Sequence, residues 1–483
     1  MKKSQIYYII RYYSESLYSF EIQPRKEVYK MHEECGVFAL YGNGFVEDPA
    51  EYAYLALYAM QHRGQQSCGI AVSNGGVIES TKGMGLAADV FDEDKLAKLK
   101  GENVIAHALY SASKSSNIQS AQPFVMRYGK GRLALAHNGS LVNADELRSE
   151  LSKKGAMFRS NSDAEIMAQL IARERLFCHS VEDAVVKAVE RFKGAFSFVV
   201  MSPRKIVAVR DPFGFRPLSI GITKEGCYVV VSETCALNAL GAKFVRDVNP
   251  GEIVVIDDKG MHTYYQKENC KRRICIFEYI YFARPDSVMD GVSIHGSRVQ
   301  AGRLLARQHP VDADIVIGVP DSGLDAAIGY AHESGIEYGM GFVRNNYVGR
   351  TFIKPTQEQR ASSVSIKLNV LSETVKGKKV VMVDDSIVRG TTCADIVRSL
   401  KVAGAKEVHV RISSPTLHYP CLYGTDIPTR EELTSNRYSV EELCQVIGAD
   451  TLGFLDKDTL GELIGACGKT YCDACFTGDY PVE

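Results

Sequence analysis

The segment KKVVMVDDSIVRGTTCADIV (378–397) constrains the fold of this chain more than any other. Its apolar run VVMV predicts a buried strand, and a loop of small residues then opens into a helix. Similar strands and amphipathic helices alternate from about residue 290 onward, which predicts a parallel α/β sheet. Ligands of such sheets bind at the carboxyl ends of the strands, where Asp384 and Asp385 follow this run. The sequence therefore predicts a ligand site here.

The loop after the two aspartates suits a phosphate group. Its backbone N–H groups and the positive end of the helix dipole favour an anion, and Ser386, Thr391 and Thr392 add hydroxyl donors. The Walker pattern is absent, so this is not a P-loop. The neighbouring carboxylates suit sugar hydroxyls and Mg²⁺. A strand followed by an acidic N-cap would explain one aspartate but not the whole array.

The segment resembles the phosphoribosylpyrophosphate (PRPP) loop of type I phosphoribosyltransferases. IVIGVPDSG (315–323) resembles the pyrophosphate loop of that family, and NNYVGRTFIKPTQEQR (345–360) resembles its flap. The resemblance assigns substrate binding to Arg350, Lys354, Asp384, Asp385, Ser386, Gly390, Thr391 and Thr392. It assigns Mg²⁺ to Ser322, Asp384 and Asp385.

The first half of the chain has a different pattern. Many short β-rich runs with few helices predict an α+β layered domain that ends near the polar stretch YYQKENCKRR. We predict a leader or propeptide at 1–34, one domain at 35–265 and a second domain at 266–483.

Cys35 taken alone is most simply a small buried core residue. However, QHRGQ (61–65), AHNGSL (136–141), NSDAEI (161–166) and RDPFGFRPL (210–218) follow it in an order that resembles the glutaminase domain of class II glutamine amidotransferases. The resemblance implies a four-layer αββα Ntn-hydrolase fold. Cys35 would be the nucleophile, with its own α-amine as general base once the leader is removed. Asn138 and Gly139 would form the oxyanion hole, and Arg63 and Asp163 would bind substrate.

One stretch departs from that family. The family loop usually reads GHVRYSTAG, and its Arg grips the α-carboxylate of glutamine. This chain reads AHALYSASK, with Leu109 in place of that Arg, Ala112 in place of Thr and Lys114 in place of Gly. Loss of a charge-assisted partner costs ~1.5–3 kcal/mol. One alternative is therefore an ammonia-dependent PRPP aminotransferase with an impaired glutaminase, and another is a non-catalytic PRPP or nucleotide sensor.

The 13 cysteines in a long chain, with Arg11 interrupting the first apolar run, disfavour a secreted disulfide scaffold and predict a cytoplasmic protein. Cys472 and Cys475 have C-x-x-C spacing, which suits redox chemistry, zinc or an iron–sulfur cluster. Family resemblance adds Cys275 and Cys421 and favours a [4Fe–4S] cluster over zinc. Packing or free thiols explain the other eight: Cys68, Cys178, Cys227, Cys235, Cys270, Cys393, Cys444 and Cys467.

The two resemblances together match PRPP-dependent glutamine amidotransferases. They imply conversion of glutamine, PRPP and water to 5-phosphoribosylamine, glutamate and diphosphate, the first committed step of purine biosynthesis. They also imply a homodimer or homotetramer and feedback by purine nucleotides. A net charge of −1 and the lack of a long apolar segment favour neither nucleic acid nor membrane as a partner.

Overall fold

A computed structural model describes residues 33–42, 44–46, 48–111, 117–345, 368–466 and 468–482, all within one compact unit at 31–483. Several sequence predictions lie outside the described residues. They concern the leader up to residue 32, Ala112, Lys114, Arg350, Lys354 and Cys467. No helix of the described ranges combines the length and the apolar character needed to cross a membrane.

Two antiparallel sheets occupy the chain up to Gln266. Their strands are β1 (Glu33–Tyr41), β2 (Ser67–Asn74), β3 (Val77–Met84), β4 (Asn103–Ser111), β5 (Phe124–Tyr128), β6 (Gly131–Leu141), β7 (Gly194–Ser202), β8 (Lys205–Arg210), β9 (Ser219–Ile222), β10 (Tyr228–Val231), β11 (Lys243–Asp247), β12 (Glu252–Asp257) and β13 (Gly260–Gln266). One sheet has the order β11–β9–β10–β1–β4–β2–β3, and the other has the order β13–β12–β8–β7–β6–β5.

Helices cover the outer faces of both sheets. They are α1 (Pro49–Ala59), α2 (Ala87–Val90), α3 (Glu93–Lys98), α4 (Ala144–Lys153), α5 (Asp163–Phe177), α6 (Val181–Val189) and α7 (Thr234–Ala239). Side chains of α1, α2 and α7 pack on the first sheet, and those of α4, α5 and α6 pack on the second.

The strand β1 shows why the layers form. Its side chains alternate between faces, so Phe38 and Leu40 pack under α1, while Val37 and Ala39 pack between the two sheets. Both faces of the strand are therefore buried. The resulting order of helix, sheet, sheet and helix confirms the predicted four-layer αββα domain.

The second half of the chain combines a parallel sheet with short strands that lie outside that sheet. Its strands are β14 (Ile274–Cys275), β15 (Val288–Met289), β16 (Val292–Ser293), β17 (Ile315–Gly318), β18 (Phe342–Arg344), β19 (Leu368–Val370), β20 (Lys379–Asp384), β21 (Glu407–Ile412), β22 (Thr451–Phe454) and β23 (Tyr471–Cys472). Its helices are α8 (Ile294–Gln308), α9 (Gly323–Ser334), α10 (Ser372–Val375), α11 (Thr391–Val402), α12 (Val440–Ile447) and α13 (Ala474–Thr477). The strands β17–β20–β21–β22 pair in parallel, as predicted.

Helices cover both faces of this parallel sheet. Val381 and Val383 of β20 pack on the side of α8 and α9, whereas Val380 and Met382 pack on the side of α11 and α12. This double burial explains why the strand is an uninterrupted apolar run. The domain boundaries at residues 34 and 265 stay predictions.

A buried ionic cluster joins the two halves. Glu278, in a single π-helical turn (Glu278–Phe282), accepts hydrogen bonds from Arg63 at 2.7 and 2.8 Å and from Arg216 at 3.0 Å. Arg63 also pairs with Glu233, and Arg216 donates to the carbonyl of Tyr423 at 3.0 Å. The Arg63, Arg216 and Glu278 side chains are at most 4% exposed, so each charge depends on its partners.

We predict that Glu278→Gln lowers the free energy of unfolding by about 3 kcal/mol or more, because it leaves two buried arginines short of a countercharge. Chemical denaturation followed by circular dichroism measures the change. The matched control is Glu333→Gln, since Glu333 forms a surface pair with Arg307 and its loss costs about 1 kcal/mol or less. Equal losses in the two variants would contradict a structural role for the cluster.

Candidate functional site

Cys35 lies within β1 and is completely buried. Its backbone N–H donates to Oδ1 of Asn138 on β6 at 3.2 Å, which brings together two residues of the predicted glutaminase site from different sheets. The other amide atom, Asn138 Nδ2, is buried and has no hydrogen-bond partner in the described structure. An unsatisfied buried donor beside a thiol is suited to an oxygen that develops negative charge.

Gly139 follows Asn138 with φ of +136°. A Cβ at this position would lie 2.2 Å from the carbonyl oxygen of Ala195, so only glycine fits. Asp163, the first residue of α5, accepts a hydrogen bond from the backbone N–H of Leu141 at 2.7 Å. This bond holds the carboxylate at the end of the strand that carries Asn138 and Gly139.

Arg63 lies in a 3₁₀ turn (Gln61–Arg63) after α1, and all of its nitrogens are engaged. Nε donates to the carbonyl oxygen of Cys35 at 3.1 Å, Nη1 to Glu233 and Nη2 to Glu278. Arg63 therefore holds the backbone of Cys35, while the substrate contact expected from the sequence stays a prediction.

Leu109 lies directly opposite Cys35 in the antiparallel pairing of β4 with β1, and it is fully buried. Tyr110, the next residue, donates its hydroxyl to Asp426 in the other half of the chain at 3.4 Å. The described part of this stretch therefore places a buried apolar side chain beside Cys35. Ala112 and Lys114 lie outside the described residues.

The loop RDPFGFRPL folds around a buried carboxylate. Asp211 accepts backbone N–H groups of Phe213 at 2.8 Å, Phe215 at 3.1 Å and Phe196 at 3.3 Å. Burial raises the pKa of Asp211 to about 6, and these hydrogen bonds oppose the shift. The compact turn directs Arg216 to Glu278.

A second site forms where β17 and β20 end side by side, since Gly318 pairs with Val383. Ser322 donates to Oδ1 of Asp385 at 2.5 Å, and the Asp385 N–H donates to Oδ1 of Asp384 at 2.9 Å. The structure thus brings together the predicted pyrophosphate and ribose loops.

Burial raises the pKa of both Asp384 and Asp385, and the neighbouring Asp385 carboxylate raises the pKa of Asp384 further. The hydroxyls of Ser322 and Ser386 oppose the shift on Asp385 because they donate to its oxygens. Two buried carboxylates in contact repel each other, so a cation or hydroxyl donors between them would be stabilising.

Two glycines shape this second site. Gly390 has φ of +74° immediately before α11 begins at Thr391, which allows the loop to turn onto the helix N-terminus. A Cβ on Gly323 would lie 2.5 Å from the carbonyl oxygen of Val383, so this glycine permits the close approach of α9 to β20. The predicted flap residues Arg350 and Lys354 lie outside the described residues.

The four predicted cluster cysteines converge in the C-terminal region. Cys275 pairs with Cys472 in the parallel pairing of β14 with β23, and Cys475 lies in α13. Burial raises the pKa of Cys472 and Cys475, and the nearby Cys275 and Cys421 raise both further. Buried thiols in mutual range fit a soft metal, because thiolates need a positive partner there.

The spacing of these thiols bears on which metal they suit. Four thiolates around one zinc ion lie about 4 Å apart, given a Zn–S distance of about 2.3 Å. Within the described ranges, the one group of three ligand atoms that all lie within 4.8 Å of one another is His62, Glu233 and Cys235, so no three of the four thiols are that close together. The thiols are therefore not already arranged around a single zinc ion.

The group of His62, Glu233 and Cys235 is an ion-pair site in this structure. Glu233 accepts from Arg63 and from His62 on one oxygen, and from Ser287 at 2.8 Å on the other. The guanidinium already supplies the positive charge that a metal ion would bring.

Sequence reasoning missed Glu278, Glu233 and Asp426. Their partners lie far away in the chain: Glu233 and Glu278 are 170 and 215 residues from Arg63. One signal was available, because Glu278 is a lone charge in the apolar run ICIFEYIYF, and such charges are usually paired.

Known proteins match this sequence and this fold. A family model described as a glutamine amidotransferase domain matches residues 111–239. The amidophosphoribosyltransferase of Bacillus subtilis (strain 168) is 46% identical over 464 residues, which cover 95% of this chain and 96% of that protein. The amidophosphoribosyltransferase of Archaeoglobus fulgidus is 45% identical over 451 residues, with 93% and 98% covered. A solved structure of glutamine PRPP amidotransferase from B. subtilis, complexed with ADP and GMP, has a TM-score of 0.86 at 45% identity and covers 93% of this chain and 98% of its own.

The layered N-terminal fold and the parallel C-terminal sheet define a class II glutamine amidotransferase joined to a type I phosphoribosyltransferase. The chain belongs to the amidophosphoribosyltransferase family, whose members act in purine biosynthesis. The predicted family, two-domain fold and transferase activity are confirmed.

We predict that Gly323→Ala weakens binding of Mg·PRPP at least tenfold, since its Cβ would push against the end of β20 and displace Asp384. Isothermal titration calorimetry measures the affinity. Gly296→Ala on α8 is the matched control, because its Cβ meets nothing closer than 3.5 Å, and it should stabilise the helix by up to about 1 kcal/mol. Unchanged affinity in Gly323→Ala would contradict the placement of the ligand at this edge.

Proposed function

We propose that this chain makes 5-phosphoribosylamine, glutamate and diphosphate from glutamine, PRPP and water, with glutamine hydrolysed at Cys35. The observation that carries this proposal is the hydrogen bond from the Cys35 backbone nitrogen to Asn138, which leaves Asn138 Nδ2 as an unsatisfied donor on a side chain that contacts Cys35. Membership of the amidophosphoribosyltransferase family supports the overall reaction.

In the glutaminase half, cleavage after Glu34 would convert the Cys35 nitrogen from an amide into a free amine. That amine takes the thiol proton, and the thiolate attacks the side-chain amide carbon of glutamine. Asn138 Nδ2 and the Gly139 N–H stabilise the tetrahedral oxygen, and Asp163 holds the α-ammonium group. The amine returns its proton to the leaving ammonia, and water then hydrolyses the thioester.

In the transferase half, Asp384 and Asp385 bind the ribose hydroxyls of PRPP. Ser386, Gly390, Thr391 and Thr392 bind its 5′-phosphate through backbone N–H groups and hydroxyls at the start of α11. Ammonia displaces diphosphate at C1, and Arg350 and Lys354 neutralise the departing charge. Mg²⁺ held through Ser322, Asp384 and Asp385 would neutralise charge on the diphosphate.

We also propose a [4Fe–4S] cluster on Cys275, Cys421, Cys472 and Cys475, which would tie the C-terminal tail to the rest of the chain. The convergence of the four thiols supports it. Feedback by purine nucleotides, a homo-oligomeric assembly and a cytoplasmic location complete the proposal. The related B. subtilis structure was solved with ADP and GMP, which supports nucleotide feedback.

An ammonia-dependent enzyme with an impaired glutaminase is the second candidate, and Leu109 is the observation that favours it. A buried leucine opposite Cys35 offers no charge to a substrate carboxylate. The two candidates share the same transferase chemistry and differ in the nitrogen donor.

We predict that Asn138→Ala lowers kcat for glutamine by about 10²–10³-fold, as expected for loss of one oxyanion donor. The rate with ammonium chloride should stay near wild type, which steady-state assays of PRPP-dependent diphosphate release will show. Asn143→Ala is the matched control, because Asn143 caps the carbonyl of Arg191 outside the site. Equal losses of kcat with glutamine and with ammonium would count against Asn138 as an oxyanion donor.

We predict that the active enzyme begins at Cys35, since an amide nitrogen cannot serve as the general base. Intact-mass analysis of the active protein identifies its first residue. Residue 1 still attached to a glutamine-active enzyme would refute cleavage after Glu34.

We predict about four iron atoms per chain after anaerobic purification, with a brown colour, and loss of both in Cys472→Ser. Elemental analysis distinguishes iron from zinc. Cys393→Ser is the control because Cys393 is a buried cysteine outside the set, in α11. A colourless protein with one zinc ion would contradict the cluster.

A further inference from the structure

The wall of the nitrogen-donor site beside Cys35 is apolar. Leu109 lies directly across the β1–β4 ladder from Cys35, so the two side chains project from the same face of the sheet. Its exposure is 0%, so an anion beside it would meet an apolar side chain in the protein interior. In glutamine the α-carbon is three bonds from the reacting amide carbon, so its substituents lie within reach of the residues around Cys35.

Arg63 is a cation in contact with Cys35, and it is not available to a substrate carboxylate. Its Nε donates to the Cys35 carbonyl, and its two terminal nitrogens donate to Glu233 and Glu278. Two buried carboxylates therefore already neutralise this one guanidinium. A third anion would have to displace one of them and leave it buried and unpaired.

The protein therefore offers a partner to only one of the two charged groups of the donor. The proposed function gives the α-ammonium group a carboxylate partner in Asp163, whereas Leu109 and Arg63 offer nothing to the α-carboxylate. An anion at this wall would lose its water without a replacement, which is unfavourable.

We infer that this chain selects its nitrogen donor without a contact to the donor's α-carboxylate. The donors it accepts are then primary γ-amides with an α-ammonium group, and the α-carboxylate can be replaced by a neutral carboxamide. Glutamine α-amide, which has nearly the shape of glutamine, is the simplest of them. This inference rests on the proposed glutaminase function of Cys35.

The reaction with glutamine α-amide follows the proposed steps. The Cys35 thiolate forms a bond to the γ-carbonyl carbon, the C–N bond breaks, and ammonia leaves with the proton returned by the α-amine of Cys35. Water then cleaves the thioester and yields isoglutamine. One amide and one water give one acid and one ammonia, so no other reactant is needed.

The test compares kcat/KM for glutamine and for glutamine α-amide at about pH 7, below the ordinary α-amino pKa. Ammonia release and chromatographic detection of isoglutamine measure turnover, and Cys35→Ala gives the background. We expect the two values to agree within about threefold. A preference for glutamine of about ten- to a hundredfold, as a charge-assisted carboxylate contact would give, overturns the inference.

Two variants of Leu109 sharpen the test. Their readout is the ratio of kcat/KM for glutamine to kcat/KM for glutamine α-amide, which does not depend on the folded fraction of the enzyme. Leu109→Arg should create a preference for glutamine of at least tenfold, and Leu109→Gln, which buries no charge, should create a smaller one. The ammonium-dependent rate reports whether each variant folds. An unchanged ratio in folded variants overturns the inference, because Leu109 would then not face the carboxylate.

Lys114→Ala removes the lysine of the AHALYSASK loop and should leave the ratio unchanged. A selective loss of glutamine turnover in this variant overturns the inference, since lysine would then be the carboxylate partner. If glutamine alone is hydrolysed, the inference fails and the proposed function stands. If neither amide is hydrolysed while ammonium is used, the glutaminase proposal fails too.

Discussion

The buried cluster of Arg63, Arg216 and Glu278 is the interaction on which the arrangement of the two halves depends. Each of these groups would be costly to bury alone, and each is stable only because the others are in place. Arg63 also holds the carbonyl of Cys35, so a carboxylate from the C-terminal half helps to fix the proposed nucleophile of the N-terminal half. The geometry of the glutaminase site therefore requires that both halves are folded.

The two sites use different parts of their sheets. Cys35 and Asn138 lie inside strands of two stacked sheets, where Cys35 pairs with Leu109 and Asn138 pairs with Ser197. Asp384, Asp385 and Ser322 lie just past the ends of parallel strands, where loops are free to shape themselves around a ligand. Under the proposed function, the first site holds a small amide at the Cys35 thiol, whereas the second encloses a large, highly charged sugar phosphate.

Local patterns predicted much of this protein. The strand, acidic pair and loop of 378–397 form one continuous segment, so the sequence alone indicated both the sheet and its ligand edge. The C-x-x-C pair was visible for the same reason. Contacts between distant residues could not be predicted this way: nothing near Arg63 reveals that Glu278 neutralises it. The replacement at Leu109 was apparent from the sequence, but its register with Cys35 and its complete burial required the fold.

The short pairing of β14 with β23 has a consequence for how the protein is made. Arg273, just before β14, donates to the carbonyl of Lys469, a residue 196 positions later. At about 5–20 residues per second, a ribosome needs roughly ten to forty seconds to cover that distance. Throughout that time the strand that carries Cys275 has been synthesised but lacks β23, and the carbonyls of Phe213 and Phe215 are the backbone partners already made. The contacts between β14, which lies just before Glu278, and β23 are therefore among the last to form. Until β23 has been synthesised, the nascent protein must keep this apolar segment from binding other chains.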